Sequence, residues 1–209
     1  MKTSIDWRRE WPAFVAFLIG VGVTIWLYPL LPDPMPTHWN AAGQVDGYSS
    51  RALGALLLLG TTLLIYVLLL IIPRFDPRRE SIQRNQQLYY IIRLALVFFM
   101  VGLQIVMLVA VAYKHDFLVA LVTPVAVGIL FMLIGNYMPR MQPNWFMGIR
   151  TPWTLSDEQV WRETHRVGGR MFMVGGLAML FAPLLPVQWV FIPLMAVILL
   201  CVLGPIRYS

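Results

Sequence analysis

The chain has 209 residues, of which 59% are hydrophobic and 12% charged, with a formal net charge of +6 and a single cysteine. That balance excludes an ordinary soluble domain, and one cysteine excludes a disulfide framework or a Cys-based metal site. The positive charge sits in arginines between apolar runs, so it argues for membrane orientation and contact with anionic lipid, and against nucleic acid.

In chain order, apolar runs of membrane-crossing length predict six transmembrane helices, at about 11–31, 53–72, 88–113, 118–137, 168–185 and 189–206. The first run ends in prolines and lacks a small-x-small cleavage site, so it reads as a span and not as a cleavable signal. Basic residues orient the set. Lys2, Arg8 and Arg9 precede span one; Arg74, Arg78, Arg79 and Arg84 follow span two; Arg140, Arg150, Arg162 and Arg166 lie between spans four and five; Arg207 follows span six. The alternate loops offer only Arg51 and Lys114, which places both termini in the cytoplasm. The expected fold is an all-α integral membrane protein, a single membrane domain over 1–209 with one long outer loop and one long inner loop.

Span one runs into the outer loop, 32–52, PDPMPTHWNAAGQVDGYSSRA. Pro32, Pro34 and Pro36 predict an extended, polyproline-like exit, and Gly43 and Gly47 mark two turns. Asp33, His38, Asn40 and Asp46 are its ligand candidates. Asp33, His38 and Asp46 could hold a divalent ion, but their spacing matches no ligand motif, and side chains bonding the loop's own turns are the plainer reading. Trp39 and Tyr48 suit the outer headgroup level. The segment 73–87, PRFDPRRESIQRNQQ, reads as a basic cytoplasmic extension of span three, while KHDF (114–117) and PVQ (186–188) are tight outer turns. Within the spans, Gln104 is the chief polar residue and reads as interhelical glue, with Thr61, Thr62 and Asn136 nearer the ends.

The inner loop, 138–167, divides in two. Pro139, Pro143 and Pro152 exclude continuous helix in its first part, and Gly148 permits a bend. Thr154 or Ser156 can then cap an interfacial helix running from about Asp157 into span five, with Glu158–Arg162 and Glu163–Arg166 as ion pairs along it. Trp145, Trp153 and Trp161 suit the inner headgroup region. Arg150, flanked by Ile149 and Thr151, is either clamped by a carboxylate (Asp157, Glu158 or Glu163) or turned towards a ligand or partner. His165 could titrate near neutral pH, although a solvated position on a polar helix face is the simpler expectation. Gly168, Gly169, Gly175 and Gly176 form two i,i+7 pairs that invite a close helix neighbour. No HExxH, GxSxG or Walker A pattern occurs, and Glu163 and His165 fall on different helix faces, so no cofactor and no enzyme chemistry are expected.

The stretch GNYMPRMQPNWFMGIRTPWTLSDEQVWRETHRVGGR resembles the signature of the SdpI family of bacterial membrane proteins: Gly-Asn, a Pro, an Asn before an aromatic, GIRTPWTL, a Trp, then THR and GG. PMPTHWNAAGQVDGY resembles the domain of unknown function common in the N-terminal half of such proteins. The resemblance implies a multi-pass protein of the bacterial cell membrane that gives immunity to a secreted membrane-active peptide toxin and can relay its presence to a cytoplasmic repressor. Asn144, Gly148, Arg150, Thr151, Trp153, Trp161, Thr164, His165 and Gly168 match the motif by position, and Glu163 lies within it. Two other readings stay open: a small transporter, since the long loops follow spans one and four of two three-span halves, and a metal-dependent membrane enzyme. Oligomeric state is left undefined by the sequence.

Overall fold

A computed structural model describes residues 7–40, 42–75, 84–115 and 117–208. The protein is mainly helical. Helices α1 (Trp11–Leu27), α2 (Arg51–Ile71), α3 (Gln86–Ala112) and α4 (Phe117–Tyr137) occupy the first four apolar runs, and α6 (Glu158–Leu180) the fifth. A short helix α5 (Pro152–Ser156) precedes α6, and α7 (Val187–Tyr208) ends the chain. Five helical stretches, Trp11–Leu30, Arg51–Ile71, Gln86–Ala112, Phe117–Arg140 and Glu158–Leu184, are long and apolar enough to cross a membrane, with a shorter apolar stretch at Ile192–Pro205. This is a membrane protein. Part of the basic segment between α2 and α3, 76–83, lies outside the described residues, as does Asp116 in the turn between α3 and α4.

In hydrocarbon every backbone group must find an internal partner, which is why these runs are helical. Hydroxyls inside the spans are absorbed the same way: Thr24 Oγ1 donates to the Gly20 carbonyl at 2.7 Å and Thr62 Oγ1 to Leu58 at 2.6 Å. Gln104, fully buried, donates its Nε2 to the Ala55 carbonyl at 2.5 Å and so ties α3 to α2.

Two three-helix units result. In one, α3 packs on α1 and α2; in the other, α6 packs between α4 and α7. The second is set by glycines on both sides of a close crossing. A Cβ on Gly128 would lie 2.6 Å from the Gly176 carbonyl oxygen, and one on Gly176 would lie 2.5 Å from that of Gly128. Gly135 and Gly169 repeat the reciprocal arrangement at 2.7 Å, one i,i+7 step away. Backbone therefore touches backbone along this seam, and any side chain there would force the helices apart. The opposite edge of α6 is tight too: a Cβ on Gly175 would lie 2.6 Å from Val197 Cγ1 on α7.

The segment after α1 corrects the all-α expectation. It carries a two-stranded antiparallel hairpin, β1 (Met35–Trp39) and β2 (Val45–Ser49). Asn40 builds its turn: the side-chain oxygen accepts from the N–H groups of Ala42 (2.9 Å) and Gln44 (3.0 Å), and Gly43 adopts φ +74°. Pro36 has no N–H to donate, which β1 tolerates as an edge strand. Met35 anchors the hairpin in a core of Leu27, Leu31, Ala55, Leu108 and Val111, and Gly54 gives it room, since a Cβ there would meet Met35 Sδ at 2.8 Å. The hairpin thus closes one end of the bundle. The stretch from Met138 to Asp157, here called the elbow, lies at the other end, where α4 finishes and α6 begins.

Candidate functional site

The elbow leaves α4 through a 3₁₀ turn, Met138–Arg140, because Pro139 cannot continue the α-helix. Its next residues are bonded to the start of α3. Asn85 Nδ2 donates to the Gln142 carbonyl at 3.1 Å, and Gln142 N–H donates back to Asn85 Oδ1 at 3.0 Å. Asn144, 1% exposed, then organises the bend. Its Oδ1 accepts from the N–H groups of Phe146 (2.9 Å) and Met147 (2.6 Å) and from the Tyr89 hydroxyl (3.1 Å), while its Nδ2 donates to the Gln142 carbonyl at 3.0 Å. All of Asn144's polar atoms are used; an aspartate could not make the Nδ2 bond.

The chain next passes over His165. Gly148 has φ +93°, and a Cβ there would fall 2.2 Å from His165 Nε2, so two independent constraints require glycine. One residue on, Ile149 N–H donates to that same Nε2 at 3.0 Å, while His165 Nδ1–H donates to the Trp161 carbonyl at 2.8 Å. Both ring nitrogens are occupied, one as donor and one as acceptor, which fixes a neutral tautomer. The imidazole also stacks on the Trp161 indole, with centroids 4.0 Å apart, and Trp161 Nε1 donates to the Met141 carbonyl at 2.8 Å. A few side chains of α6 therefore pin both arms of the elbow.

The elbow ends in back-to-back caps. Thr151 caps α5: its hydroxyl accepts from Thr154 N–H, and Thr154's hydroxyl accepts from Thr151 N–H at 2.8 Å while donating to the Ile149 carbonyl at 2.9 Å. Asp157 then caps α6, accepting from Gln159 N–H (2.6 Å) and Val160 N–H (3.0 Å). These caps correct the expected roles of Thr154 and Ser156. Pro152 at the first helical turn selects Thr151, and a break at Asp157 separates what reads in sequence as one helix start.

The motif residues sort into a frame and a rim. Asn144, Thr151, Thr154, Trp161, Thr164 and His165 are buried, and Gly168 lies under Ile149, where a Cβ would meet its Cδ1 at 2.6 Å. Trp145 (45% exposed), Trp153 (60%), Arg150 and Glu163 face outwards. Trp161 and His165 are thus core residues, neither a headgroup anchor nor a solvated histidine. Neither sidedness nor spacing could show this, because the covering surface is the elbow itself. Arg150 donates to the Trp145 carbonyl at 2.5 Å, and among the described residues no carboxylate pairs with it. Glu163 accepts from Gln159 Nε2 at 2.9 Å, while Glu158–Arg162 forms an exposed pair at 3.5 Å.

At the hairpin end, His38 Nδ1 and Asp46 Oδ1 are 2.5 Å apart on an exposed face, with the two side chains 71% and 43% accessible. Asp33 is held elsewhere, accepting from Arg51 N–H at 3.3 Å, so the three expected metal candidates are not brought to one point. A Cβ on Gly47 would lie 2.8 Å from His38 Cβ.

One buried cluster escaped the sequence reading. Glu10, just before α1, pairs with Arg93 on α3 and accepts from the Tyr66 hydroxyl of α2 at 3.0 Å. Arg93 lies over the rings of Tyr66 and Tyr90, 6.0 and 5.9 Å from their centroids, and Tyr90 donates to the Arg9 carbonyl at 2.7 Å. The available signal was an arginine two turns inside an apolar run, which demands a buried partner. The first turns of α3 thus face both ways, with Asn85 and Tyr89 on the elbow and Tyr90 and Arg93 on the chain before α1.

Residues 140–209, which include the elbow's frame and rim, match the model of the SdpI/YfhL protein family. Residues 15–63, from α1 through the hairpin into α2, match a domain of unknown function, DUF1648. The chain is 28% identical over 154 residues to Immunity protein SdpI of Bacillus subtilis (strain 168), covering 73% of this chain and 70% of that protein. No solved structure matches the chain. Asn85 and Tyr89, which bond the elbow to α3, lie outside both matched segments, as do Glu10, Tyr66 and Arg93 at the α1–α2–α3 junction.

Proposed function

We propose that this chain is an SdpI-like membrane protein that protects its cell from, or senses, a secreted membrane-active peptide toxin. In this reading it crosses the bacterial inner membrane six times with both termini in the cytoplasm, which the arginine distribution supports. The hairpin then faces outwards and meets the peptide through Asp33, His38, Asn40 and Asp46, and the elbow faces a cytoplasmic regulator. The observation that carries the proposal is the division of the family segment. A hydrogen-bonded frame (Asn144, Thr151, Trp161, His165), bent at Gly148, carries Arg150, Trp145 and Trp153 at an exposed rim. Rigid support beneath exposed aromatic and arginine side chains is the anatomy of a recognition surface. To transmit a signal, the toxin must bind one of two arrangements of the bundle more tightly than the other.

The transporter alternative draws less support. Gln104 is shut between α3 and α2, whereas Asn136 and Arg150 are exposed, so these polar groups do not line a common cavity. The deciding experiment is survival of a toxin-sensitive bacterium expressing the wild type or Arg150→Ala under the killing peptide of an SdpI-type system. Protection by the wild type and its loss in Arg150→Ala, at equal membrane levels, is the expected result. Failure of the wild type against every such peptide would sink the proposal, and full protection by Arg150→Ala would remove the rim from it.

A further inference from the structure

The outward side of α6 changes character along its length. Arg162, Arg166 and Arg170 recur every four residues and are all exposed, a ladder of about 12 Å along one face. The same face continues with Val174 (66% exposed), Leu177 (49%) and Phe181 (59%), while Gly168, Gly169, Gly175, Gly176 and Met179 are buried against the bundle. Charge is not balanced along the ladder. Arg162 has Glu158 at 3.5 Å, but Glu163 is engaged by Gln159, and among the described residues neither Arg166 nor Arg170 has an ion-pair partner. Both arginines thus stand on the membrane side of the helix's acidic first turns, directly before its lipid-facing stripe. Cationic side chains at that depth require an anion or must bend back to water.

We propose that this face of α6 is a binding site for an anionic phospholipid, with the headgroup phosphate held by Arg166 and Arg170 and an acyl chain lying along Val174, Leu177 and Phe181. Two features select a lipid over other occupants. A free phosphate would use the arginines but leave the apolar stripe without a role. A second copy packed by two-fold symmetry would set one arginine ladder against another, a like-charge contact. Two guanidiniums in line suit a phosphate, whose oxygens accept charge-assisted bonds from both.

The test uses the full chain released from nanodiscs of mixed phosphatidylglycerol and phosphatidylcholine, with retained lipids counted by native mass spectrometry. The wild type is expected to retain phosphatidylglycerol preferentially. Each arginine is expected to contribute about five-fold to that preference, so R166Q/R170Q loses most of it. R166K/R170K keeps the charge and most of the preference, and K114Q, at the opposite end, leaves it unchanged. If the double glutamine variant does not fold, the single variants R166Q and R170Q each still lose several-fold. A wild-type preference surviving in R166Q/R170Q, or in both single variants, would overturn the site. So would displacement of the lipid by inorganic phosphate alone, which would make it a simple anion site. Efficient disulfide cross-linking of Val174→Cys between two copies would also overturn it, by assigning the face to a dimer.

Discussion

The two loops that bracket the bundle are made of similar letters and have opposite fates. PTHWN in the hairpin and QPNWF in the elbow each place an asparagine beside a tryptophan among prolines. Asn40 and Asn144 do the same local work, each folding the following backbone onto its side-chain oxygen. Only Asn144 also accepts from a residue far away in sequence, Tyr89. The histidines diverge further: His38 is exposed on one carboxylate, whereas His165 is sealed under Gly148 and bonded at both nitrogens. The difference lies in what covers each loop. Beyond Met35 and the half-buried Trp39, which pack on the bundle, the hairpin is held mainly by bonds within itself, so its exposed side chains can change cheaply; the elbow is part of the core.

Charge pairs should show the contrast at its largest. Glu10–Arg93 is buried where three helices meet, so Glu10→Gln or Arg93→Gln alone leaves an uncompensated charge and should cost about 3–5 kcal/mol. The double variant E10Q/R93Q should be more stable than either single variant, since it removes both charges together. Asp46→Asn in the exposed His38 pair should cost no more than about 1 kcal/mol. Unfolding of all four variants in detergent measures this directly. A double variant as unstable as the sum of the singles would show the cluster to be held by packing and not by charge.

Glycines come next. Gly148→Ala must hold a left-handed backbone with its methyl on the His165 ring, and a loss of about 3 kcal/mol is expected. Gly47→Ala meets His38 Cβ at 2.8 Å, an atom fixed by the β1 backbone, so the strands must spread; the exposed hairpin can do so more cheaply than the elbow, and a loss of about 1–2 kcal/mol is expected. The asparagines should rank the same way. Asn144→Ala removes the acceptor of two part-buried N–H groups and of the Tyr89 hydroxyl, at a cost of about 2–3 kcal/mol; Asn40→Ala frees groups that water can reach, at about 1 kcal/mol. Equal losses at the two sites would erase the distinction between core elbow and surface hairpin.

How far this was legible in the sequence depends on the range of each interaction. Apolar runs locate the helices because a bilayer leaves no other way to satisfy the backbone. The small-residue face of α6 was legible for the same reason, though its partners Gly128 and Gly135 were not singled out. The hairpin was missed because two five-residue strands carrying a proline, a glycine and a histidine give little alternation, and the pairing rests on Asn40 and Gly43. The rim and frame of the elbow could be named as a motif but not separated. Whether Trp161 or Trp153 is buried depends on where Met141 and Ile149 return, and no periodicity records that. Glu10 and Arg93 are 83 positions apart, and their pairing exists only once α1 and α3 pack.

The smallest expected change in stability is also the most informative about function. His38→Ala removes an exposed ring from an exposed carboxylate and should shift unfolding by no more than about 0.5 kcal/mol. If the hairpin meets a peptide, the same substitution should still weaken protection in the survival assay, because a recognition surface can lose a contact without losing its fold. Trp161→Phe makes the opposite test at the elbow: it loses the bond to the Met141 carbonyl, and the damage should appear first in melting and only then in protection. Protection that falls with stability in both variants would mean that each loop acts only by holding the bundle together. Protection that falls in His38→Ala at unchanged stability would separate recognition at the hairpin from architecture at the elbow.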